Sequence, residues 1–417
     1  MPGTTRTQVG IVGAGPAGLV LGRLLEREGI DAVVLEARSR DYVEHRLRAG
    51  VLEQGTADLL RALGVGDRMD REGLLHAGIE LRFDGMGHRI PLADLTGGRH
   101  VMLYGQTEMV KDLIAARLES GAELRFEVED VALHGLEGNA PSIGFRHEGV
   151  DHELRCDVVA GCDGFHGVSR GAVPADRLTV RSREYPFAWL GILADVAPSS
   201  EELVYTSHER GFALHSLRGP TKSRLYLQVD PGDDIEAWSD DRIWDELHLR
   251  MARDDDWVLH EGPVLEKGIT PMRSFVAEPM RHGRLFLAGD AVHIVPPTGA
   301  KGLNLAVADV KVLGEALVAF LRGGDERGLD AYSATALRRV WRAEHFSWWM
   351  TSMLHQDPAA ADDPFAVALQ RAQLEYVCTS EAAATSLAEN YVGLPWARRT
   401  LDAPMNRVPR RMREERG

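Results

Sequence analysis

The chain has 417 residues, 44% of them hydrophobic and 27% charged, with a formal net charge of −15. That length allows two or three packed domains, and the acidic balance excludes nucleic acid as a partner unless basic side chains gather in one patch. There is no apolar run of about eighteen residues to mark a membrane span, and MPGTTRTQVG lacks the charged-then-apolar pattern of a secretion signal. Cys156, Cys162 and Cys378 are too scattered for a disulfide framework or a zinc cluster. A cytoplasmic protein is expected, with no metal, no nucleic acid and no membrane partner.

Gln8 to Val12 reads as a short buried strand. After it, Ala17, Val20, Leu21, Leu24 and Leu25 recur with helical spacing. The helix ends near Gly29, and Asp31 to Leu35 forms a second strand closed by Glu36, which completes a βαβ unit. Two later segments, Asp157 to Gly164 and Arg284 to Asp290, again run an apolar strand into a glycine turn, so one sheet is expected to be visited three times. From about Arg181 to Thr270 the pattern becomes strand-like, as in Trp189 to Ala194, Gly211 to Leu217 and Ser223 to Val229; this reads as an inserted, mostly antiparallel domain. Beyond Leu303 the pattern is helical, with Trp341, Trp348 and Trp349 expected in the core. Arg407 to Gly417, with arginines at 407, 410, 411, 413 and 416, reads as a solvated, disordered tail.

The predicted fold class is α/β, α+β overall, with a Rossmann-like domain built on the βαβ unit, an inserted, mostly antiparallel domain and C-terminal helices. The Rossmann-like domain is expected to be discontinuous, at 1–75, 101–180 and 271–355. The inserted domain takes 76–100 and 181–270, and the helical C-terminal region 356–417.

VGIVGAGPAG, residues 9–18, carries the spacing G-x-G-x-x-G directly after a strand and at the start of a helix. In that setting Gly13 makes the tight turn, Gly15 lets backbone approach a pyrophosphate, and Gly18 lets the helix close on the strand. The helix N-terminus offers unpaired N–H groups and the positive end of its dipole. Glu36, eighteen residues after Gly18, stands where an acid meets ribose hydroxyls. This motif alone does not choose between FAD and a nicotinamide nucleotide. The later segments favour FAD: Asp290 at a strand end offers a carboxylate to ribityl hydroxyls, and Pro296 to Gly302, followed by Leu303 and Asn304, delivers N–H groups to a polar ring edge.

Together with these, RLRAGVLEQG (46–55), YGQTE (104–108), CDGFHGVSR (162–170), YPFAWLG (185–191), RGFALHSLR (210–218), GRLFLAGDAVHIVPPTGAKGLNLA (283–306), FSWWMTS (346–352) and AENYVGLP (388–395) resemble the class A flavoprotein aromatic hydroxylases nearly end to end. The resemblance implies an FAD-dependent monooxygenase that converts 4-hydroxybenzoate to 3,4-dihydroxybenzoate with O2 and NADPH or NADH, through a flavin C4a-hydroperoxide. The nearest alternative is a related hydroxylase of another phenolic or aminobenzoic acid. It further implies FAD held by Gly13, Gly15, Gly18, Glu36, Arg46, Arg48, Gln106, Asp163, Asp290, Lys301, Gly302, Leu303 and Asn304, with Arg224 guarding the flavin ring.

By the same resemblance, Ser216, Arg218 and Tyr226 clamp the substrate carboxylate, with Ser216 and Arg218 two apart on one strand face. Tyr205 and Tyr391 stand at the phenolic hydroxyl, the Pro297 carbonyl touches it, and His76 is the solvent end of a proton relay that titrates near neutral pH. Arg38, Tyr42, His166 and Arg170 meet the passing nicotinamide nucleotide. A homodimer is also implied. Ala37 follows Glu36 where a basic residue is expected, and Glu44 opposes the charge of Arg38 and His45, so the choice between NADPH and NADH stays open. His215 alternates to the face opposite Ser216 and carries no expected chemistry.

Overall fold

The computed structural model describes residues 3–46, 50–360 and 362–396. Arg48 and the arginine-rich tail lie outside the described residues.

The strand Val9–Val12 is fully buried and enters the glycine turn, from which helix Pro16–Arg27 departs with its proline in the first turn. Proline suits that position because its missing N–H would have had no helical acceptor. Glu28 caps the helix, Gly29 follows at φ +65°, and Ala32–Leu35 pairs in parallel with Val9–Val12. Val158–Gly161 pairs in parallel on the other side of Val9–Val12, and Leu285–Leu287 pairs in parallel beyond it. The fold is thus α/β, and the three expected visits to one sheet all occur within a single six-stranded sheet. Val9, Ile11, Val34, Val158 and Val159, all essentially inaccessible, pack its core with Leu21 and Leu25 of the first helix.

An eight-stranded, mostly antiparallel sheet forms the second layer. Its long strands are Thr179–Ala194 and Val264–Glu278, followed by Lys222–Val229, Ala213–Gly219 and Leu203–Thr206 toward one edge; Leu203–Thr206 pairs in parallel with Ile79–Phe83. The two long strands run through positions 180 and 270, so the domain limits expected there fall inside continuous strands. Alternation gives this sheet two different faces. Leu190, Ile192, Val204, Ala213, Leu225 and Leu227 pack under helix Asp240–Met251. Trp189, Tyr205, Phe212, Leu214 and Tyr226 face the other way, toward the C-terminal helices.

Those helices are Gly302–Gly323, Arg327–Leu354, Pro364–Thr379 and Glu381–Tyr391. Trp341 and Trp348 differ from expectation: they are 41% and 39% exposed, and the Trp341 indole donates to Glu278 at 2.7 Å. A tryptophan with a polar partner for its N–H tolerates the surface. Among the described residues no helix is long and apolar enough to cross a membrane.

Candidate active site

Four neighbouring parallel strands end side by side, and their C-terminal ends carry residues expected at the cofactor. Leu35 leads into Glu36, Val12 into the glycine turn, Gly161 into Asp163 and Leu287 into Asp290. From Val9–Val12 the chain goes one way to Ala32–Leu35 and later the other way to Val158–Gly161, which opens a crevice at the reversal.

The three glycines play three different steric roles. Gly13 sits at φ +104°, and a Cβ there would meet the Cys162 carbonyl oxygen at 2.4 Å. A Cβ on Gly18 would lie 1.9 Å from the Gly13 carbonyl, whereas one on Gly15 would point into open space. The turn is closed on its protein side and open only at Gly15, as a backbone cradle for a pyrophosphate requires. Glu36 is moored at the rim of the turn: Ala14 N–H donates to Oε2 and Arg38 N–H to Oε1, each at 2.8 Å. Asp163 accepts the Ser169 N–H at 2.8 Å on Oδ2 while Oδ1 has no partner, and burial raises its carboxyl pKa. Asp290 is exposed in the turn Gly289–Ala291. Gly289 donates its N–H to Asp309 (3.0 Å), which also bonds the His293 ring at 2.6 Å; both acid and ring are 1% exposed. Gln106 opens helix Gln106–Glu119 and is half-buried.

Gly302 and Leu303 open the helix Gly302–Gly323, whose first-turn N–H groups have no intrahelical acceptor. The side chains on either side of them depart from expectation. Lys301 Nζ is buried and donates to Glu53 (2.8 Å) and to the carbonyls of Asn390 and Tyr391. Desolvation lowers its pKa, and the Glu53 carboxylate opposes that shift. The Asn304 amide accepts from Glu53 N–H and donates to the carbonyls of Val51 and Ala300. Both side chains are tethers that fix the loop, so only the backbone here remains available to a cofactor. Ala300, at φ +53°, is a non-glycine residue held in the left-handed region at the tip of this loop.

The face of the eight-stranded sheet that carries Trp189, Tyr205 and Tyr226 holds the expected substrate residues. Ser216 pairs opposite Arg224, and Tyr226 opposite both Leu214 and Gly191. Gly191 leaves room, since a Cβ there would press Arg224 at 2.9 Å and Tyr226 at 3.3 Å. Arg224 lies over the Tyr226 ring, 5.4 Å from its centroid, and 3.9 Å from Glu266. Ser216 Oγ donates to the Arg224 carbonyl at 3.1 Å. Arg218 is half-buried; desolvation lowers its pKa, with the Tyr226 hydroxyl acting against that shift. Among the described residues it has no carboxylate partner, which leaves a desolvated cation on the same sheet face as Tyr226.

Tyr205 pairs opposite Leu214 and points to the same face. Its hydroxyl meets that of Tyr391 at 2.5 Å; both residues are 2% exposed, and desolvation raises both phenol pKa values. The Pro297 carbonyl accepts the Ala300 N–H at 2.9 Å and keeps a second lone pair. His76 corrects the expectation. It is 1% exposed, neither ring nitrogen has a partner, and desolvation pulls its pKa down to about 4. It is therefore a buried neutral base and not a solvent-facing group near neutrality.

The donor-side residues divide. Arg38 and Arg46 lie over the exposed Tyr42 ring at 5.5 and 5.9 Å, and neither is in an ion pair among the described residues. Glu44 is neutralised by Arg40 at 2.7 Å, which removes the opposing charge read from the sequence. His166 is exposed, with its ring against Phe165. Arg170 is a correction: it donates to the carbonyls of Ala291 (2.9 Å) and Phe165 (2.7 Å) between the rings of Phe165 and Phe275, as a strut within the protein. Arg273, not singled out from the sequence, lies over Phe165 at 5.2 Å. Asp309, His293, Glu53 and Gly191 were also missed, because their partners are distant in sequence and no local pattern marks them. Among the described residues no group of His, Cys, Asp and Glu is arranged to hold a metal.

Residues 6–347 match the FAD-binding domain family. The chain belongs to that family and, within it, to the class A flavoprotein aromatic hydroxylases: it is an FAD-dependent monooxygenase. It is 50% identical over 399 residues to the p-hydroxybenzoate hydroxylase of Acinetobacter baylyi, covering 96% of this chain and 98% of that one. Its fold is similar to that of p-nitrophenol 4-monooxygenase from Pseudomonas putida (TM-score 0.80, 20% identity, 94% of this chain and 100% of that one). An anhydrotetracycline hydroxylase from Streptomyces rimosus gives a TM-score of 0.74 at 23% identity, over 93% of this chain and 76% of that one.

Proposed function

We propose that the chain hydroxylates 4-hydroxybenzoate at the ring carbon beside its hydroxyl, giving 3,4-dihydroxybenzoate and water from O2 and NADPH or NADH. The observation that carries this reading is the pairing of a desolvated, acid-free Arg218 with the buried Tyr205–Tyr391 hydroxyl pair on one sheet face. Tyr205 and Tyr226 are two strands apart, about 10 Å between backbones. That spacing suits one para-substituted ring with a polar group bonded at each end. The identity to the Acinetobacter enzyme supports the same substrate.

When bound, FAD supplies the redox and oxygen chemistry. Gly15, the first turn of Gly302–Gly323, Glu36, Asp163 and Asp290 would hold it. Arg218 takes the substrate carboxylate, with Ser216 and Tyr226 orienting it. Tyr205 bonds the substrate oxygen and, through Tyr391, drains its proton; both phenols stay protonated at neutral pH and so act as a hydrogen-bonded chain. His76 has no hydrogen bond to that chain, and its pKa near 4 is too low to hold the proton at neutral pH, so the proton passes beyond Tyr391 to water. The free lone pair of the Pro297 carbonyl faces the same hydroxyl. A phenolate ring is more electron-rich than a phenol, so this deprotonation activates the carbon that is attacked. Arg38, Tyr42 and His166 form the patch for the donor's phosphates.

A homodimer belongs to the proposal. Phe365, Ala368, Leu369, Ala372 and Tyr376 make an exposed apolar stripe on a helix that buries only Leu374 and Val377. Three free cysteines suit a reducing cytoplasm. An absorbance titration of bound 4-hydroxybenzoate tests the activation step. The phenol is expected to ionise at lower pH than in water, and Tyr205→Phe is expected to abolish that shift. An unshifted phenol in the wild type contradicts the reading.

A further inference from the structure

Behind Tyr226 the aromatic wall contains a titratable ring that the mechanism above leaves unused. His355 follows the last turn of Arg327–Leu354 and is 3% exposed. Its ring stacks on Phe212 (centroids 4.3 Å apart) and Phe187 (4.8 Å) and lies edge to edge with the Trp189 indole (5.8 Å), all within 21° of parallel. The Trp189 indole N–H donates to His355 Nε2 at 2.6 Å, and His355 Nδ1 lies 3.1 Å from the Thr351 carbonyl. An indole only donates and a carbonyl only accepts, so Nε2 is bare and Nδ1 carries the proton. Desolvation pulls the imidazole pKa down to about 3, which keeps this tautomer neutral.

Three parts of the pocket meet at this ring. Trp189 packs on Tyr226 with centroids 4.8 Å apart, and Phe212 on Tyr205 at 6.2 Å. Thr351, which holds Nδ1, donates from its hydroxyl to Thr298 at 2.9 Å, next to Pro297. The geometry points to His355 as a positioning residue that fixes the Trp189 indole, and through it Tyr226, so that the substrate ring sits at one depth in the pocket. This rests on the hydroxybenzoate reading of the pocket. A ring held loosely lets O2 take two electrons and two protons from the donor side and leave as H2O2, with no oxygen entering the substrate.

The test compares His355→Phe, His355→Gln, Trp189→Phe and the double variant Trp189→Phe/His355→Phe, each loaded with FAD. His355→Phe keeps the stack and strands the indole N–H. It is expected to raise the 4-hydroxybenzoate Kd about tenfold and to shift more than half of the donor electrons to H2O2. His355→Gln, whose carbonyl can accept the indole N–H, is expected to recover most of both. The double variant removes donor and acceptor together, and is expected to regain Tm while staying uncoupled. Native Kd and native product-to-donor ratio in His355→Phe overturn the proposal, as does a double variant that regains coupling along with Tm. Should His355→Phe not fold, Trp189→Phe is expected to show the same uncoupling, and native coupling there overturns it. The 15N shifts of the His355 ring give a readout independent of turnover: one fixed Nδ1–H tautomer is expected, and an exchanging imidazole contradicts the geometry. Failure of the wild type to bind 4-hydroxybenzoate would instead sink the substrate reading, and is seen separately in the same titration.

Discussion

Arg218 is a half-buried, partly desolvated charge with no acid beside it among the described residues, an arrangement that costs stability until an anion arrives. Arg218→Ala is expected to weaken 4-hydroxybenzoate binding by roughly 10- to 150-fold, and to leave the Kd of a phenol lacking the carboxylate within about threefold. Equal losses for both ligands, measured by flavin absorbance titration, would assign Arg218 to packing. His76 makes a prediction about pH. Its imidazole titrates at 6.5 in the unfolded chain and about 4 when folded, so the unfolded state binds more protons between those values. The stability gained by keeping the ring neutral is full above 6.5 and is lost as pH falls toward 4, by up to about 1.4 kcal/mol per pH unit. His76→Gln lacks that titration. Its unfolding free energy between pH 6.5 and 4.5 is expected to fall less steeply than that of the wild type by about that slope; parallel curves would contradict the buried neutral ring.

At the scale of elements, the glycine turn separates folding from cofactor binding. Gly15 has ordinary extended backbone and open space at its Cβ, while the Cβ position of Gly18 is blocked by the Gly13 carbonyl. Gly15→Val is expected to leave the Tm of the FAD-free protein within about 2 °C of wild type and to raise the FAD Kd at least tenfold, since only the ligand's space is filled. Gly18→Ala is expected to lower the Tm of the FAD-free protein itself. A Gly15→Val protein that holds FAD normally would remove the turn from the cofactor site. This unit was legible in the sequence because every part is local: strand, glycine spacing, helix periodicity and closing acid lie within 28 residues of Val9. The tethers were not legible. Lys301 finds Glu53 across 248 positions, and Trp189 finds His355 across 166. Arg170 carried the expected charge, but no sequence pattern says whether a guanidinium meets a ligand or two carbonyls.

Across the whole molecule, the two sheets divide the labour. The parallel sheet ends in a cradle for a dinucleotide, the larger sheet carries the aromatic face on which the proposed substrate ring lies, and helices Gly302–Gly323 and Arg327–Leu354 join them. Composition and strand patterning disclosed both layers. The limits between them were not legible, because Thr179–Ala194 and Val264–Glu278 run unbroken through positions 180 and 270, and alternation along a strand says nothing about where a domain ends. Burial of His76 was likewise invisible, since it depends on the short sheet that Leu74–His76 forms with Val101–Leu103. The central claim, that one face orients and deprotonates a hydroxybenzoate for attack by oxygen, is tested most directly by product analysis. The FAD-loaded protein is supplied with O2, 4-hydroxybenzoate and either NADH or NADPH, and donor consumed is measured against 3,4-dihydroxybenzoate formed. The account predicts donor oxidation strongly accelerated by 4-hydroxybenzoate, with nearly one dihydroxy product per donor for at least one nicotinamide. Donor oxidation indifferent to 4-hydroxybenzoate, with no dihydroxy product from either donor, would contradict it.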